Sequence, residues 1–411
     1  MASFGFLRGN RDFTILWTGQ TVSALGSAMS TLVFPLIGYA LTGSTVQAGL
    51  ATTALLLGGV IVRLPAGALV DRWPRGRTLL TAYLFAALCY TSLAIAELTG
   101  LLTLAQLIVV GLLSGISSSF IGPAGSAAVR TVVPPKDRPA AFAQNQLRTH
   151  TAQLVGPPLG GALYSIARSV PFLVDAVSYA AAAVAVSRLR TPLPAVATER
   201  RSLRTEMADG LRFVWHHKAN RAILLWGGAV NLAMTFVFVA VTLRLIRVGT
   251  HPAAIGLVDT IASLAGLVGA FAAPAIVARL PTGRMTLITG SVLVLMVFPM
   301  AFTTNVAVIG GLLAIGTFLF PANNSGIGAY LATITPDPMQ GRVNAAGGLI
   351  ADGVSPAAPL LAGVFLAAIG GMWSMFLATG LVAVSLVPLL VTPEIMRLGR
   401  PSEWSESAAI T

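Results

Sequence analysis

The sequence predicts an all-α integral membrane protein with about twelve transmembrane helices in two pseudo-symmetric bundles of six. Two features predict this fold class. Of the 411 residues, 55% are hydrophobic and only 10% are charged, against about a quarter charged in soluble domains. Many apolar runs also reach the roughly 20 residues that cross a bilayer. A soluble protein could not keep so much apolar surface from water, so soluble enzymes are excluded.

The apolar runs define the spans in order. They cover 13–41, 46–70, 78–98, 102–132, 140–167, 170–189, 222–248, 252–278, 285–303, 305–334, 342–369 and 371–392. Each is long enough for a helix, and backbone that faces lipid has to satisfy its own hydrogen bonds.

The basic residues of the connecting segments predict the topology. An even number of spans places both termini on one side of the membrane. Most connecting Lys and Arg residues fall on that side, and only Arg168, Arg244 and Arg247 fall on the other. The positive-inside rule then places both termini in the cytoplasm of a multi-pass cell-membrane protein. It also accounts for the net charge of +12 without a nucleic-acid partner.

Weak internal repeats indicate a duplicated six-helix unit. Arg72-x-Pro74-x-Gly76-Arg77 returns as Arg279-x-Pro281-x-Gly283-Arg284 in the second half. We therefore predict one bundle over 1–190, a central cytoplasmic loop over 191–219, a second bundle over 220–392 and a polar, disordered cytoplasmic tail over 393–411. Parallel six-helix halves with a site between them are a known transporter design.

The central loop contains apolar residues at helical spacing, namely Leu203, Met207, Leu211, Val214 and Trp215. This pattern predicts an amphipathic helix on the cytoplasmic leaflet. A solvated linker helix is the alternative interpretation.

The loop after the second span carries a recognisable motif. It reads PAGALVDRWPRGR and contains Gly67, Asp71, Arg72, Arg75, Gly76 and Arg77. This loop resembles the signature loop of the major facilitator superfamily. Three further stretches, FTILWTGQTVSALGSAMSTLVFP from Phe13, FLVDAVSYA from Phe172 and GLRFVWHHK from Gly210, resemble its macrolide-efflux branch of drug/proton antiporters. The resemblance implies a monomeric secondary transporter without a cofactor, driven by the proton gradient.

By this resemblance, Asp71 and Arg72 form a latch that holds the cytoplasmic gate shut. Asp71 would face the positive N-terminus of the eleventh span, and Gly67 would let the second span pack closely against a neighbour. The alternative is that the arginines only set the topology.

Charged residues within the spans are functional candidates, because a charge in hydrocarbon is costly unless it is paired or hydrated. Arg63 lies about 12 Å below Asp71 by helix rise, and Asp352 lies about 15 Å into the eleventh span. We expect these two residues to form a state-dependent ion pair between the halves.

His150 is a candidate proton carrier, since its unperturbed pKa lies near physiological pH, and Arg148 makes the same fifth span unusually polar. A packing role for His150 is the alternative. Asp175 and Asp259 lie near the outer face and are further candidates for proton or cation binding. For both aspartates, exposure to external water is the favoured interpretation.

The fold that the resemblance implies lines the substrate cavity with the first, fourth, seventh and tenth spans. These spans offer amide, hydroxyl and aromatic groups at Gln20, Ser23, Ser117, Ser118, Phe120, Asn231, Phe236, Phe238, Asn323 and Asn324. Such a lining suits a bulky amphiphilic molecule, although packing is an equal alternative for the aromatic residues. Gly122-Pro123 and Pro321 are expected to break the fourth and tenth spans.

The fifth span contains Gly156-Pro157-Pro158-Leu159-Gly160-Gly161, which is similar to the Gly-Pro motif of exporters in the superfamily. We expect these glycines to pack against small residues of the eighth span and to form the hinge of the outer gate. The partner residues would be Ala262, Ala265, Gly266 and Gly269.

The sequence thus predicts an exporter of drug-like or macrolide-like amphiphiles, driven by proton antiport. A dedicated exporter of an endogenous metabolite such as a siderophore is a second hypothesis. A non-transporting receptor or assembly factor is a third, which the polar residues within the spans disfavour. No enzyme is expected, since the sequence offers no catalytic or metal-binding motif.

Overall fold

The predicted spans coincide with α-helices in a computed structural model, which describes residues 9–194, 211–213, 215–216, 218–335, 339–396, 398–400 and 403. In chain order the helices are α1 (Arg11–Thr42), α2 (Thr45–Ile61), α3 (Arg63–Arg72), α4 (Arg75–Leu98), α5 (Leu104–Val132), α6 (Arg138–Ile166), α7 (Val170–Ser187), α8 (Lys218–Arg247), α9 (Pro252–Arg279), α10 (Thr282–Val297), α11 (Val306–Phe318), α12 (Phe320–Ile334), α13 (Gln340–Gly353), α14 (Ala357–Ser385), α15 (Val387–Leu390) and α16 (Pro393–Met396).

The lengths and hydropathy of these helices confirm a multi-pass membrane protein. Within the described residues, nine helical stretches are long and apolar enough to cross a membrane. One of them, Gly347–Leu390, has 44 residues and covers two predicted spans, which meet at Gly370 with φ 79°. The helix Thr45–Ile61 is apolar but short, and the polar α6 is not one of the nine. The number of twelve crossings therefore stays a prediction.

Local sequence signals set the helix ends. The Asn10 side chain accepts a hydrogen bond from the Phe13 N–H at 2.9 Å and caps the start of α1. Gly43 ends that helix with φ 65°, and Ser44 then caps α2. A side-chain oxygen at the first cap and a glycine at the last are the residues that these positions favour.

Four predicted spans are each divided between two α-helices. The twelfth is interrupted at Leu386. The second span is interrupted at Val62, where φ is −101° and ψ is 1°. The tenth is interrupted at Leu319, two residues before Pro321, and the eleventh at 354–356. The break at Leu319 confirms the interruption that was expected at Pro321, because proline lacks the N–H that a continuous helix needs.

The expected break at Gly122-Pro123 is wrong. Pro123 lies inside the uninterrupted helix α5, and α6 likewise continues through Pro157 and Pro158. Packing neighbours and local adjustments can re-satisfy the carbonyl groups that a proline frees in membrane helices. A proline alone therefore does not locate a bend in this chain.

The chain divides into two compact units. The first comprises Met1–Glu199 and Ile246–Thr260, and the second comprises Arg200–Leu245 and Ile261–Thr411. The start of α9 therefore belongs to the first unit, although the sequence assigns the whole eighth span to the second bundle.

An aromatic cluster and close helix contacts form the core of the first unit. The rings of Phe34 and Phe172 lie 6.2 Å apart, edge to face, and Tyr90 stacks on Tyr179 at 5.6 Å. Such pairs add stabilisation beyond the area that they bury. Nearby, α2 approaches the backbone of α5 so closely that a side chain at Gly58 would collide with the Leu112 carbonyl.

The second unit is anchored around a short 3₁₀ segment, Phe298–Phe302. The Arg244 guanidinium donates to the carbonyls of Met300 and Ala301 at 2.7 and 3.1 Å. Phe376 packs on Phe298 and Phe302, with ring centroids 5.6 Å apart in both pairs. Arg244 thus donates to two carbonyl groups that would have accepted backbone N–H groups if the α-helix had continued.

The central loop and the tail are described in part. Leu203, Met207 and Val214 lie outside the described residues, whereas Leu211 and Trp215 are helical and exposed. The expectation of a disordered tail is wrong for its first residues. Pro393–Met396 is helical, and the carbonyls of Leu398 and Gly399 accept hydrogen bonds from the N–H groups of Gly283 and Thr282 at 3.2 and 3.1 Å.

Candidate functional site

A cavity of about 330 Å³ lies within the first unit, among α1, α4, α5, α6 and α7. Its lining combines hydroxyl, amide and aromatic groups with one charged side chain. The lining residues are Gln20, Ser23, Ala24, Ser27, Tyr83, Ser118, Ile121, Gly122, Gly125, Ser126, Phe142, Asn145, Gln146, Arg148, Thr149 and Tyr179. The volume is at the lower end of the range for small-molecule sites.

Arg148 forms the polar end of this cavity. Its Nη1 donates to Gln20 Oε1 on α1 and to Asn145 Oδ1, the latter at 3.2 Å. Its Nε has no hydrogen-bond partner among the described residues, and none of their carboxylates forms an ion pair with it. An arginine within a membrane span usually pairs with an acid or faces water, so this guanidinium retains the ability to bind a further acceptor.

Tyrosine and serine side chains form another wall. Ser27 Oγ on α1 and Tyr179 OH on α7 are 2.7 Å apart, and the Tyr83 and Tyr179 ring centroids are 6.3 Å apart. Both tyrosines are almost completely buried. The wall therefore offers a small aromatic area together with hydroxyl groups, which suits a molecule that is both apolar and able to form hydrogen bonds.

Asp175 lies one helical turn before Tyr179 and is 0% exposed. Ser30 Oγ donates to its Oδ2 at 2.6 Å, and Ser178 Oγ donates to its Oδ1 at 3.1 Å. Gly26 leaves the space that the carboxyl group occupies. The expectation that external water covers Asp175 is wrong, because α1 packs over it and supplies a hydroxyl partner.

The other candidates for proton coupling do not join this cavity. His150 is exposed and is not a lining residue, although Thr149 beside it is. Asp259 is half-buried on α9. Arg63, in the first unit, is exposed, and Asp352, in the second unit, is half-buried. Their ion pair stays a prediction.

The substrate candidates of the first half have different surroundings. Gln20 lines the cavity and binds Arg148. Ser117 instead donates to the Ala82 carbonyl at 2.7 Å and is buried. Phe120 stacks on Trp73 with ring centroids 6.2 Å apart. For Ser117 and Phe120 the structure therefore supports the packing interpretation.

The substrate candidates of the second half do not form a comparable group. Asn231 is exposed and donates to the Ala351 carbonyl at 3.2 Å. Phe236 is buried against Phe365. Asn323 is 0% exposed, and both polar atoms of its side chain lack a partner among the described residues. Asn324 is exposed on the next position of α12.

The signature loop spans the end of α3 and the start of α4. The side chain of Asp71 lies outside the described residues, so the latch stays a prediction. Arg72 and Arg77 are exposed, and Arg75 donates to Thr131 Oγ1 at 3.2 Å. A side chain at Gly67 would meet no atom of the described residues within 4 Å, and the close packing expected there stays a prediction. Gly76 lies beside Leu193.

The Gly-Pro segment of α6 does approach the start of α9, but at other residues than expected. Gly161 lies against the Pro252 backbone, and Gly256 lies against Pro157 and Pro158. Gly156 and Gly160 instead approach α1 at Ala28 and Met29.

The partner residues expected on α9 lie further along that helix. Gly266 has no atom within 4 Å of the position that a side chain would take, and Gly269 approaches the Phe318 backbone. The close contact therefore lies at the first turns of α9, and the hinge role of the glycines in α6 stays a prediction.

Tyr83, Tyr179 and Ser27 were not among the sequence candidates. The family cavity was expected to exclude the third and sixth spans, which contribute the two tyrosines. The sequence does contain a signal for the two tyrosines. A tyrosine within an apolar span usually needs a hydrogen-bond partner for its hydroxyl group when it is buried. Phe172 and Tyr179 also lie in one of the stretches that resemble drug exporters.

Comparison with known proteins identifies the family. A family model described as the Major Facilitator Superfamily matches residues 16–357. The chain belongs to this superfamily. Its members are transporters and not enzymes.

Curated relatives of the chain include drug exporters. Multidrug efflux pump Tap of Mycolicibacterium fortuitum is 26% identical over 384 residues, which cover 89% of this chain and 91% of that protein. Tap of Mycobacterium tuberculosis strain H37Rv is 25% identical over 92% of this chain and 93% of its own length. Multidrug resistance protein 1 of Bacillus subtilis is 28% identical, over 44% of this chain and 46% of its own length.

Solved structures of other transporters share the fold. A bacterial homologue of the lysosomal transporter Spinster, in an inward-facing conformation, has a TM-score of 0.68 at 15% identity, covering 96% of this chain and 98% of that chain. A POT family transporter reaches a TM-score of 0.72 at 13% identity, with 94% and 96% covered. At these identities the likeness establishes the fold alone.

Proposed function

We propose that this chain is a secondary active exporter of amphiphilic, drug-like small molecules, working by alternating access and proton antiport. We place it in the cell membrane with both termini in the cytoplasm, as the distribution of basic residues favours. The observation that carries the proposal is the cavity of the first unit, where the Arg148 cluster lies together with aromatic and hydroxyl groups. The names of the Tap relatives support the direction of transport.

The cavity favours amphiphiles over strongly polar solutes such as sugars. A sugar requires many hydrogen-bond donors and acceptors around its whole surface, whereas a drug-sized ligand needs mainly apolar contacts and a few polar ones. Phe142, Ile121 and the tyrosine rings supply the apolar part. Macrolides are included among the proposed substrates because of the sequence resemblance.

Asp175 is the proposed proton carrier. A buried carboxylate is costly in its charged form unless it is paired, and no Lys, Arg or His of the described residues forms an ion pair with Asp175. Ser30 and Ser178 supply hydrogen bonds, and the neighbouring turn contributes Tyr179 to the cavity wall. Each proton that enters through the carrier supplies about 2.3 kcal/mol per 100 mV of membrane potential, in addition to any pH gradient.

The test is transport into everted membrane vesicles, energised to pump protons inward, with a fluorescent lipophilic dye and a macrolide panel. We expect ATP-dependent accumulation that a protonophore abolishes. The variant Ser118→Trp fills the cavity and should stop accumulation, whereas Ser187→Trp, at an exposed position at the end of α7, should not. Accumulation that is indifferent to the protonophore would exclude proton antiport, and no accumulation of any panel member by well-expressed protein would refute the proposal.

A further inference from the structure

The cavity of the first unit has an uneven charge distribution. Arg148 is the only charged side chain among its lining residues, and none of them is acidic. The cavity therefore carries a positive charge near one end. Low-dielectric surroundings strengthen the field of such a charge compared with water.

The two side chains that hold Arg148 do not neutralise it. Gln20 and Asn145 accept hydrogen bonds through neutral amide oxygens, which orient the guanidinium but leave its charge in place. Each amide oxygen thus already accepts one hydrogen bond from the guanidinium, and the amide N–H groups remain as donors for other partners. The three side chains together thus present donors and a positive charge, with few acceptors.

The guanidinium also has donor capacity left. It carries five N–H donors, and its bonds to Gln20 and Asn145 both come from Nη1. Nε is buried without a partner among the described residues. A buried donor without a partner is unfavourable, so an acceptor group on a ligand would be bound here preferentially.

We infer that the cavity selects amphiphilic organic anions, in which a carboxylate or similar oxyanion binds Arg148 and an aromatic body lies against Phe142 and Ile121. This inference rests on the proposed function, because it names the substrate class of the same site. Arginine suits the role since its planar fork matches the geometry of a carboxylate. Cationic amphiphiles are disfavoured by the same charge.

The experiment measures binding and transport separately. Dansylglycine, its neutral amide and a cationic dansyl amine share one aromatic body and differ in the charged group. Binding to the purified full chain in lipid nanodiscs is measured by energy transfer from tryptophan to the dansyl group. We expect the acid to bind about tenfold more tightly than the amide, which corresponds to one charge-assisted hydrogen bond, and the cation to bind most weakly.

Variants of Arg148 test whether this residue causes the preference for the acid over the amide. Arg148→Gln should remove the difference between acid and amide, and Arg148→Lys should keep part of it. Arg130→Gln, an exposed arginine on α5, is the matched control and should leave the difference unchanged. If wild-type protein binds acid, amide and cation equally, the inference is overturned without any variant. It is also overturned if well-folded Arg148→Gln keeps the preference.

Transport of the same probes separates the two proposals. A preference for the acid that depends on Arg148, without energised accumulation of any compound, would refute the exporter and leave the assigned anion site in place. Protonophore-sensitive accumulation of dyes without any preference for the acid would support the exporter and overturn the anion site.

Discussion

Asp12 shows how one carboxylate joins distant parts of the first unit. It is 8% exposed at the start of α1. It accepts hydrogen bonds from the Thr191 N–H at 2.7 Å, the Thr191 hydroxyl at 2.6 Å and the Arg190 N–H at 3.2 Å. The chain that leaves α7 is therefore fastened to the beginning of α1.

We predict that Asp12→Ala destabilises the protein by about 2–3 kcal/mol, because several charge-assisted hydrogen bonds are lost and their donors are left unsatisfied. The measurement is the thermal unfolding of detergent-purified protein. Asp137→Ala is the control, since Asp137 makes no capping bond at the start of α6. An equal effect of the two substitutions would contradict this explanation.

The second prediction for a single residue concerns Asp175. Asp175→Asn keeps the shape of the side chain and removes the ability to release a proton. We expect it to abolish energised accumulation of dye while substrate exchange across the membrane continues, because only the step coupled to the proton gradient is lost. Asp259→Asn, which changes the half-buried carboxyl group on α9, should retain accumulation. The reverse pattern would assign the proton to Asp259.

These residues also show what sequence can and cannot predict. Helix rise correctly places Asp175 a few residues from the end of its span, but it does not reveal which helix covers the side chain. Asp175 is buried because α1 packs over it, and Ser30 of that helix donates a hydrogen bond to its carboxyl group. Helix α1 is distant from Asp175 in sequence. Arg148 was recognised as a polar residue of the fifth span, yet its partner Gln20 was assigned independently to the substrate cavity.

At the scale of elements, the seam between α2 and α5 permits a closely matched test. A side chain at Gly58 would collide with the backbone at Leu112, whereas one at Gly59 would meet ordinary contacts at 3.8 Å or more. We predict that Gly58→Ala lowers stability by about 1–3 kcal/mol through overpacking. Gly59→Ala should be neutral or slightly stabilising, because alanine favours the helix more than glycine does.

The readout is the melting temperature of both variants in the same detergent. Equal melting temperatures would show that the two helices are not in close contact at Gly58. A decrease confined to Gly58→Ala would show that α2 and α5 pack through their backbones, as small residues permit in membranes.

Helix positions were largely predictable, and helix interruptions only in part, because prolines accompany some breaks and lie inside continuous helices elsewhere. The hydrophobic spans follow from the thickness of the bilayer, which is a property of the surroundings. Helix interruptions depend instead on which backbone hydrogen bonds can form at each position. The chain passes through Pro123 without a break, whereas it is interrupted at Val62, three residues before Pro65. The 3₁₀ segment Phe298–Phe302 contains a proline and also accepts hydrogen bonds from Arg244, which lies far away in sequence.

At the scale of the whole molecule, the resemblance of the PAGALVDRWPRGR loop led to the correct superfamily. The two halves nevertheless differ in their candidate sites. The first unit contains a cavity with Arg148, whereas the groove of about 510 Å³ in the second unit is lined by residues such as Ala270, Pro274 and Val277. Internal repeats predict a shared architecture, and they do not predict which half retains the polar chemistry.

Alternating access predicts that the contact between α6 and the start of α9 has to open and close during transport. Thr260 Oγ1 donates to the Leu154 carbonyl at 3.0 Å across this contact, and Gly256 lies against Pro158 beside it. Cysteines at 154 and 260, in a background with Cys89→Ala, can be joined by a short cleavable thiol cross-linker. We expect the cross-link to reduce dye accumulation to the level of vesicles without the protein.

Cleavage with dithiothreitol should restore accumulation, and each single-cysteine variant treated with the same reagent should remain active. These controls separate the covalent tie from damage caused by the substitutions. Cysteine at 260 removes the Thr260 hydrogen bond, so activity of that single variant also shows whether the bond itself is required. Full accumulation by protein that is completely cross-linked would mean that α6 and the start of α9 move together, and the hinge would then have to lie elsewhere in the chain.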